Sequence, residues 1–222
     1  MSDSLRLYSY YRSSCSYRVR IALNLKGLPY EYKAVHLVKD GGQQFTEEYL
    51  ALNPVGELPS LELLAGDGEP TAVLAQSVAI LEYLEEVYPE PALLPKSPVA
   101  RAQVRQLVEM INSGIQPIQN LRVMRRLTEL HENTRPDNFA WAAYWIERGY
   151  QALEKVLERT AGTYAFGDEV TLADVLLVPQ TYNADRFGVD MSSMPNLQRV
   201  VANARALPAF EKAHPSVQPD TE

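Results

Sequence analysis

Two periodicities divide the chain. Up to about residue 87, short alternating or apolar runs are interleaved with helical stripes; after about residue 98, apolar residues recur almost entirely at helical spacing. Leu5 to Tyr10 predicts a strand with Leu5 and Leu7 on one face. Val19, Ala22 and Leu23 (i, i+3, i+4), with Ile21 and Leu25 (i, i+4), predict a helix that Gly27 closes as its C-terminal cap. Tyr30 to Leu37 alternates as a second strand, Lys39-Asp40-Gly41-Gly42 breaks it, and a short helix is expected around Phe45 to Ala51. After the turn signal Asn53-Pro54-Val55-Gly56, the segments Leu58 to Leu64 and Thr71 to Leu74 read as a hairpin around Gly66-Asp67-Gly68. A helix opening at Gln76-Ser77 is expected to turn Val78, Leu81 and Leu84 inward and Glu82, Glu85 and Glu86 outward. The order is β-α-β-α-β-β-α.

Pro89, Pro91, Pro95 and Pro98 fall too close together for one helix to hold them, so a linker is placed there. The domains are then 1–87, a mixed α/β domain; 88–97, a proline-rich linker; and 98–222, an all-helical domain. In the last, Val104, Leu107, Val108, Ile111 and Ile115 form one stripe. Ala142, Trp145, Ile146, Gly149, Leu153, Val156 and Leu157 form a second, and Leu197, Val200, Val201 and Ala204 a third after Pro195. These stripes are core. In Val170-Thr171-Leu172-Ala173-Asp174, Thr171 and Asp174 have the spacing of a capping box, a folding signal with no catalytic part. The polar segment His214 to Glu222, with two prolines, is expected to wrap the surface or stay disordered.

The 222 residues carry a formal charge of -7, which argues against nucleic acid or an anionic membrane as partner. No apolar run approaches the ~20 residues of a membrane span, and Met-Ser-Asp-Ser does not begin a signal region. One cysteine cannot form an internal disulfide, and no Cys/His cluster has metal-ligand spacing. His36, His131 and His214 are scattered and read as packing or surface groups. A reducing, cytoplasmic, enzyme-sized protein is the default.

The chemistry concentrates where the first strand ends and the first helix begins. There Ser13, Ser14 and Ser16 surround Cys15, among backbone N–H groups that a helix N-terminus leaves unpaired and that favour an anion. The bland alternative is that Ser13 or Ser14 caps the helix. Taken with the rest of the chain, Ser13-Ser14-Cys15-Ser16-Tyr17-Arg18-Val19-Arg20, Lys39-Asp40-Gly41-Gly42-Gln43-Gln44-Phe45, Ala51-Leu52-Asn53-Pro54, Gln76-Ser77, Gly114-Ile115-Gln116-Pro117, Gln119-Asn120-Leu121 and Gly167-Asp168-Glu169-Val170-Thr171-Leu172-Ala173-Asp174 resemble the zeta-class glutathione transferases over nearly the whole length.

That resemblance implies a thioredoxin-like N-terminal domain, an all-helical C-terminal domain, a homodimer and glutathione as the cofactor. It makes Ser13, Ser14 and Cys15 the catalytic group, with Ser13 holding the glutathione sulfur and Cys15 contributory. It gives Leu58, before an expected cis Pro59, main-chain bonds to the cysteinyl part. Gln76 and Ser77 take the γ-glutamyl carboxylate, Gln44 the glycyl end, and Gln116 and Asn120 complete the pocket. A small diacid substrate implies cationic anchors: Arg12, Arg18, Arg122 and Arg186. Arg122 resembles the bacterial maleylpyruvate-type enzymes. The implied reaction is cis–trans isomerisation of maleylacetoacetate in phenylalanine and tyrosine breakdown. The alternatives are maleylpyruvate isomerisation, transfer to or dehalogenation of small α-halo acids, and a non-enzymatic interaction module.

Overall fold

The computed structural model describes residues 4–131 and 137–222. They fall into two compact units: the chain up to Ala92 together with Leu207–Glu222, and Leu93–Ala206.

The first unit is built on a four-stranded mixed sheet. β1 (Ser4–Ser9), α1 (Ser14–Leu25) and β2 (Tyr30–Ala34) form a β-α-β crossover, and β1 and β2 pair in parallel. α2 (Glu47–Leu52) follows, then β3 (Ser60–Leu64) and β4 (Pro70–Ala75), an antiparallel hairpin, and α3 (Ser77–Val87). The sheet order is β2-β1-β3-β4, with β3 antiparallel to β1. This is the expected β-α-β-α-β-β-α order. β3 is buried along its whole length, and its one charged residue, Glu62, accepts from Arg6 Nη1 at 2.8 Å and from the Tyr8 hydroxyl at 3.2 Å.

Three local differences from the sequence expectation have physical causes. β2 stops at Ala34 rather than Leu37 because side chains take over the main-chain bonds. His36 N–H donates to Gln43 Oε1 at 2.8 Å, and His36 Nδ1 accepts from the N–H groups of Val38 and Lys39. β3 starts at Ser60, after Pro59, which has no N–H for a ladder. Glu85, expected outward, is buried and meets Lys26 Nζ at 2.9 Å; that ammonium also donates to the carbonyls of Tyr88 and Pro91. Pairing with an ammonium that is itself held by two carbonyls overrides the preference of glutamate for water.

The boundaries also move. No helix or strand forms over 88–97, but Leu93 and Leu94 are buried in the second unit, and Leu93 O accepts the N–H of Leu172. The helical domain expected to run to Glu222 ends as a compact body at Ala206. Beyond it, α9 (Pro208–Ala213) buries Phe210 and Ala213 in the first unit, where Asn24 Nδ2 donates to Ala209 O at 3.0 Å. The polar tail thus wraps a surface, held by defined bonds.

The second unit consists of α4 (Pro98–Asn112), α5 (Leu121–Leu130), α6 (Asn138–Thr160), α7 (Leu172–Arg186) and α8 (Pro195–Arg205). α7 is buried on nearly all sides and packs against α4, α6 and α8. The predicted stripes lie in the core: Val104, Leu107, Val108, Ile111 and Ile115; Ala142, Ile146, Leu153 and Leu157; and Leu197, Val200, Val201 and Ala204. Trp145 and Val156 at the edge of the second stripe are part-exposed. Gly149 in that stripe is where Ile115 packs, since a Cβ there would lie 2.4 Å from the Ile115 side chain. Glu154 accepts the N–H groups of Asn196 and Leu197, placing a negative charge at the start of α8. Among the described residues no helix is long and apolar enough to cross a membrane.

The capping box at α7 forms, and Asp174 does more than cap. Its Oδ2 accepts the N–H and hydroxyl of Thr171, and its Oδ1 accepts the N–H of Ala165 at 2.8 Å. Asp174→Ala would strand two buried N–H groups, so a loss of about 2–4 kcal/mol is expected in urea unfolding at neutral pH. Burial pushes the Asp174 carboxyl up to about 6, against hydrogen bonds from Ala165, Thr171 and its own N–H that pull it down. An unfolded aspartate titrates near ~3.9, so between these values the folded chain holds a proton that the unfolded chain releases. The stability contributed by this group is then greatest below about pH 4 and declines by roughly 2–3 kcal/mol as pH rises through about 6. As pH rises across that window, wild type should lose this amount of unfolding free energy relative to Asp174→Asn.

Candidate active site

Ser13 caps α1. Its backbone is extended (φ −67°, ψ 115°), its Oγ accepts the N–H of Ser16 at 3.1 Å, and its carbonyl accepts the N–H of Tyr17. An acceptor bond from within leaves the hydroxyl proton for an outside group, and Ser13 is part-exposed. Capping and ligand binding are therefore compatible in one side chain. Ser14 lies buried in the first turn, and Cys15 is a part-exposed free thiol.

Arg12 flanks this site. Its guanidinium lies over the rings of Tyr10 and Tyr11, 5.8 and 5.3 Å from their centroids, and its Nε donates to the Tyr10 hydroxyl at 3.2 Å. Burial raises the Tyr10 phenol above its ordinary value, with Arg12 pulling the other way, so the ring remains a neutral acceptor. Arg12, the residue before Ser13, is thus fixed in direction while keeping its charge.

The remaining first-unit residues assigned to glutathione lie in the segment from Gln44 to the start of α3. Gln44 is 3% exposed, with Oε1 buried and without a hydrogen-bond partner. Its carbonyl lies against Gly56, whose φ of 64° only glycine adopts freely and where a Cβ would press on the Phe45 ring. Next along the chain, Leu58–Pro59 is cis as expected, and among the described residues the main-chain groups of Leu58 enter no turn or loop hydrogen bond. Glu57 accepts from Gln76 Nε2 at 3.4 Å. Gln76 itself is held at φ 69°, in the left-handed region that costs a non-glycine residue about 1–2 kcal/mol, and such strain gathers at functional sites. Ser77, 4% exposed, begins α3.

Arg18 is a correction. It was expected to grip a substrate carboxylate, but its residue exposure is 0% and its Nη1 donates to Ser77 Oγ at 3.0 Å. Solvent does not reach it, so its charge acts through Ser77. Arg20, two residues on, is likewise fully buried and donates to Ser9 Oγ and to the carbonyls of Tyr10, Tyr11 and Ala213, a role no sequence motif assigned to it. The signal was present: two arginines stand among Tyr17, Val19, Ile21, Ala22 and Leu23 in a helix with little exposed face.

The other four residues lie in the second unit. Gln116 is part-exposed in the segment between α4 and α5. Asn120 caps α5, accepting the N–H of Arg122 at 3.0 Å, and Arg122 is exposed in the first turn. Arg186 ends α7, its guanidinium over the rings of Tyr182 and Phe187 at 5.9 and 5.4 Å. It lines a cavity of about 450 Å³ with Leu121, Met124, Arg125, Phe139 and Phe187.

Residues 7–92 match the family model of the glutathione S-transferase N-terminal domain, and 145–208 that of the C-terminal domain. The chain is 52% identical to maleylacetoacetate isomerase of Rattus norvegicus, over 97% of this chain and 94% of that one. The chain belongs to the zeta-class glutathione transferases. Crystal structures of maleylacetoacetate isomerase from Anaeromyxobacter dehalogenans 2CP-1 superpose with TM-scores of 0.88 and 0.87 at 49% and 47% identity, covering 100% of this chain and 99% of that one. One has GSH in its active site, the other dicarboxyethyl glutathione and citrate. The holo structure of a bacterial maleyl pyruvate isomerase, also of the zeta class, superposes at 0.89 with 42% identity, covering 98% and 100%.

The capping half of Ser13's role in this transferase fold can be measured by itself. Ser13→Ala should cost about 1 kcal/mol in chemical denaturation without altering the far-ultraviolet spectrum of the folded protein.

Proposed function

We propose that this chain is a glutathione-dependent cis–trans isomerase that converts maleylacetoacetate to fumarylacetoacetate. The carrying observation is Ser13: a part-exposed hydroxyl, held from within by Ser16 N–H at a helix N-terminus, beside the fixed cation of Arg12. Identity of about half the chain to named maleylacetoacetate isomerases supports the same reading.

The first unit fits glutathione. Leu58 offers main-chain groups outside its loop bonds, Gln44 has an unpaired buried amide oxygen, and Ser77 stands at a helix N-terminus backed by Arg18. Leu58 would hold the cysteinyl part, Gln76 and Ser77 the γ-glutamyl carboxylate, and Gln44 the glycyl end. Bound glutathione supplies a thiolate that adds reversibly to the double bond, so the bond can rotate and the thiolate is recovered.

The work of this chain is to ionise that sulfur and to seat the diacid. A free thiol of pKa about 8.5 is roughly 3% ionised at neutral pH, whereas one lowered to ~6.5 is about three-quarters ionised, a difference near 2.7 kcal/mol. The Ser13 hydroxyl donating to a charged sulfur contributes roughly 1.5–3 kcal/mol, and the N-terminus of α1 about 0.3–1 more. The two suffice without a histidine base. Arg12, Arg122 and Arg186 are the cations for the two carboxylates of the substrate, and the aromatic rings under Arg12 and Arg186 fix their direction. Gln116 and Asn120 are assigned to completing the glutathione pocket. The reading extends to a cytoplasmic homodimer in phenylalanine and tyrosine breakdown, supported by family membership.

Maleylpyruvate is kept as a second substrate because Arg122 stands exposed at the start of α5 and a maleyl pyruvate isomerase superposes closely. Turnover on both acids at saturating glutathione discriminates between them, and net consumption of glutathione would mark transfer or dehalogenation instead.

Ser13→Ala is expected to lower turnover by at least ~10²-fold, the rate equivalent of that 2.7 kcal/mol. A loss under about threefold would remove Ser13 from its role. Arg18→Lys separates seating of the peptide from seating of the acid. A shorter point charge loses the bond to Ser77, so KM for glutathione should rise about tenfold while KM for the diacid stays level.

A further inference from the structure

β2 ends at Ala34, and the last bond between its chain and β1 runs from Val35 N–H to the Ser9 carbonyl at 2.8 Å. Beyond it, the Tyr11 N–H has passed the end of its neighbouring strand and requires another acceptor. That acceptor comes from the far end of the chain. Asp220 Oδ2 takes the Tyr11 N–H at 3.0 Å, and Asp220 Oδ1 takes the Tyr32 hydroxyl at 2.6 Å.

The opposite edge of the same peptide group is held as well. The Tyr10 carbonyl accepts Arg20 Nη1 at 3.3 Å and the Ser13 N–H at 3.0 Å. Arg20 Nη2 fixes the next carbonyl, Tyr11, at 3.0 Å. A peptide group is planar, so binding its C=O to a guanidinium and its N–H to a carboxylate sets its orientation about the chain. The two residues that follow are Arg12 and Ser13.

The segment carrying Asp220 is itself anchored to α1. Asn24 donates to Ala209 O, and Arg20 Nε to Ala213 O at 3.1 Å. Glu222 pairs with Lys39, in the loop that leads to Gln44. The C-terminal segment is therefore tied to both loops to which the sulfur and glycyl ends of glutathione have been assigned.

We propose that Asp220 is a positioning residue of the active site, orienting the Tyr10–Tyr11 peptide so that Arg12 and Ser13 face the bound thiol and the diacid. The proposal rests on the glutathione reading above and adds a residue from the opposite end of the chain to it.

The test titrates the thiol of bound glutathione by the ultraviolet absorbance of its thiolate, alongside turnover, in wild type, Asp220→Ala, Asp220→Asn and Tyr32→Phe. In folded Asp220→Ala the bound thiol should titrate at least about half a pH unit higher, and turnover at pH 6.5 should fall about tenfold. Asp220→Asn keeps an oxygen for the Tyr11 N–H and should recover at least about half the turnover. A purely structural role would lower the melting temperature and leave the thiol titration in place. Should Asp220→Ala fail to fold, Tyr32→Phe carries the test, with an expected loss of about threefold and a smaller upward shift. Wild-type titration and turnover within about twofold in the folded variant would overturn the proposal. A wild-type complex with no ionised thiol would sink the glutathione reading first, and the proposal with it.

Discussion

A serine hydroxyl whose oxygen already accepts a bond is held in place with its proton still available to a ligand, and the bond from Ser16 N–H to Ser13 Oγ does that. Everything around it keeps this cap in place. β1 delivers the chain to the start of α1, the Tyr10 carbonyl receives the Ser13 N–H, and the Ser13 carbonyl starts the helical ladder by accepting Tyr17 N–H. The hydroxyl and the amide dipoles behind it act on one small region, where their effects on an anion reinforce one another.

α1 carries buried cations, which would be costly if left uncompensated. Arg18, Arg20 and Lys26 each find acceptors, and each reaches a different part of the first unit. Arg18 reaches the start of α3, Arg20 the end of β1 and α9, and Lys26 the end of α3 with the segment up to Pro91. Burial lowers the tendency of Arg20 to hold its proton, yet four protein oxygens surround its guanidinium. Charged groups of fixed reach specify geometry more sharply than apolar contacts, which tolerate sliding. α1 is accordingly the hub through which both ends of the glutathione-binding unit are registered.

The fold was legible wherever local chemistry matched the global arrangement. The strand–helix order, the proline-rich break, the apolar stripes and the Thr171–Asp174 box all follow from periodicity and capping. Ser13, Arg12, Gln76 and Ser77 were legible because helix starts announce themselves in sequence, although their roles came from family resemblance. What stayed hidden depends on long-range pairing. Glu85 read as solvated because nothing nearby in sequence announces Lys26, and Arg18 read as a ligand anchor because nothing announces Ser77 behind it. His36 and Gln43 end β2 by side-chain bonds that no propensity records. The contribution of Asp220 was equally hidden, since a carboxylate in a proline-containing tail looks solvated until the tail is placed.

The first unit is discontinuous: its sheet comes from the start of the chain, and α9 with the tail from after the second unit. During synthesis the sheet emerges early but lacks Phe210 and Ala213 in its core and the acceptor for Tyr11 N–H until the segment through Asp220 leaves the ribosome. The helical unit is complete once Ala206 is out, so the part made first is finished last. A nonsense or frameshift lesion just after the codon for Ala206 would therefore damage the sheet-bearing unit, most of which is encoded far upstream of it.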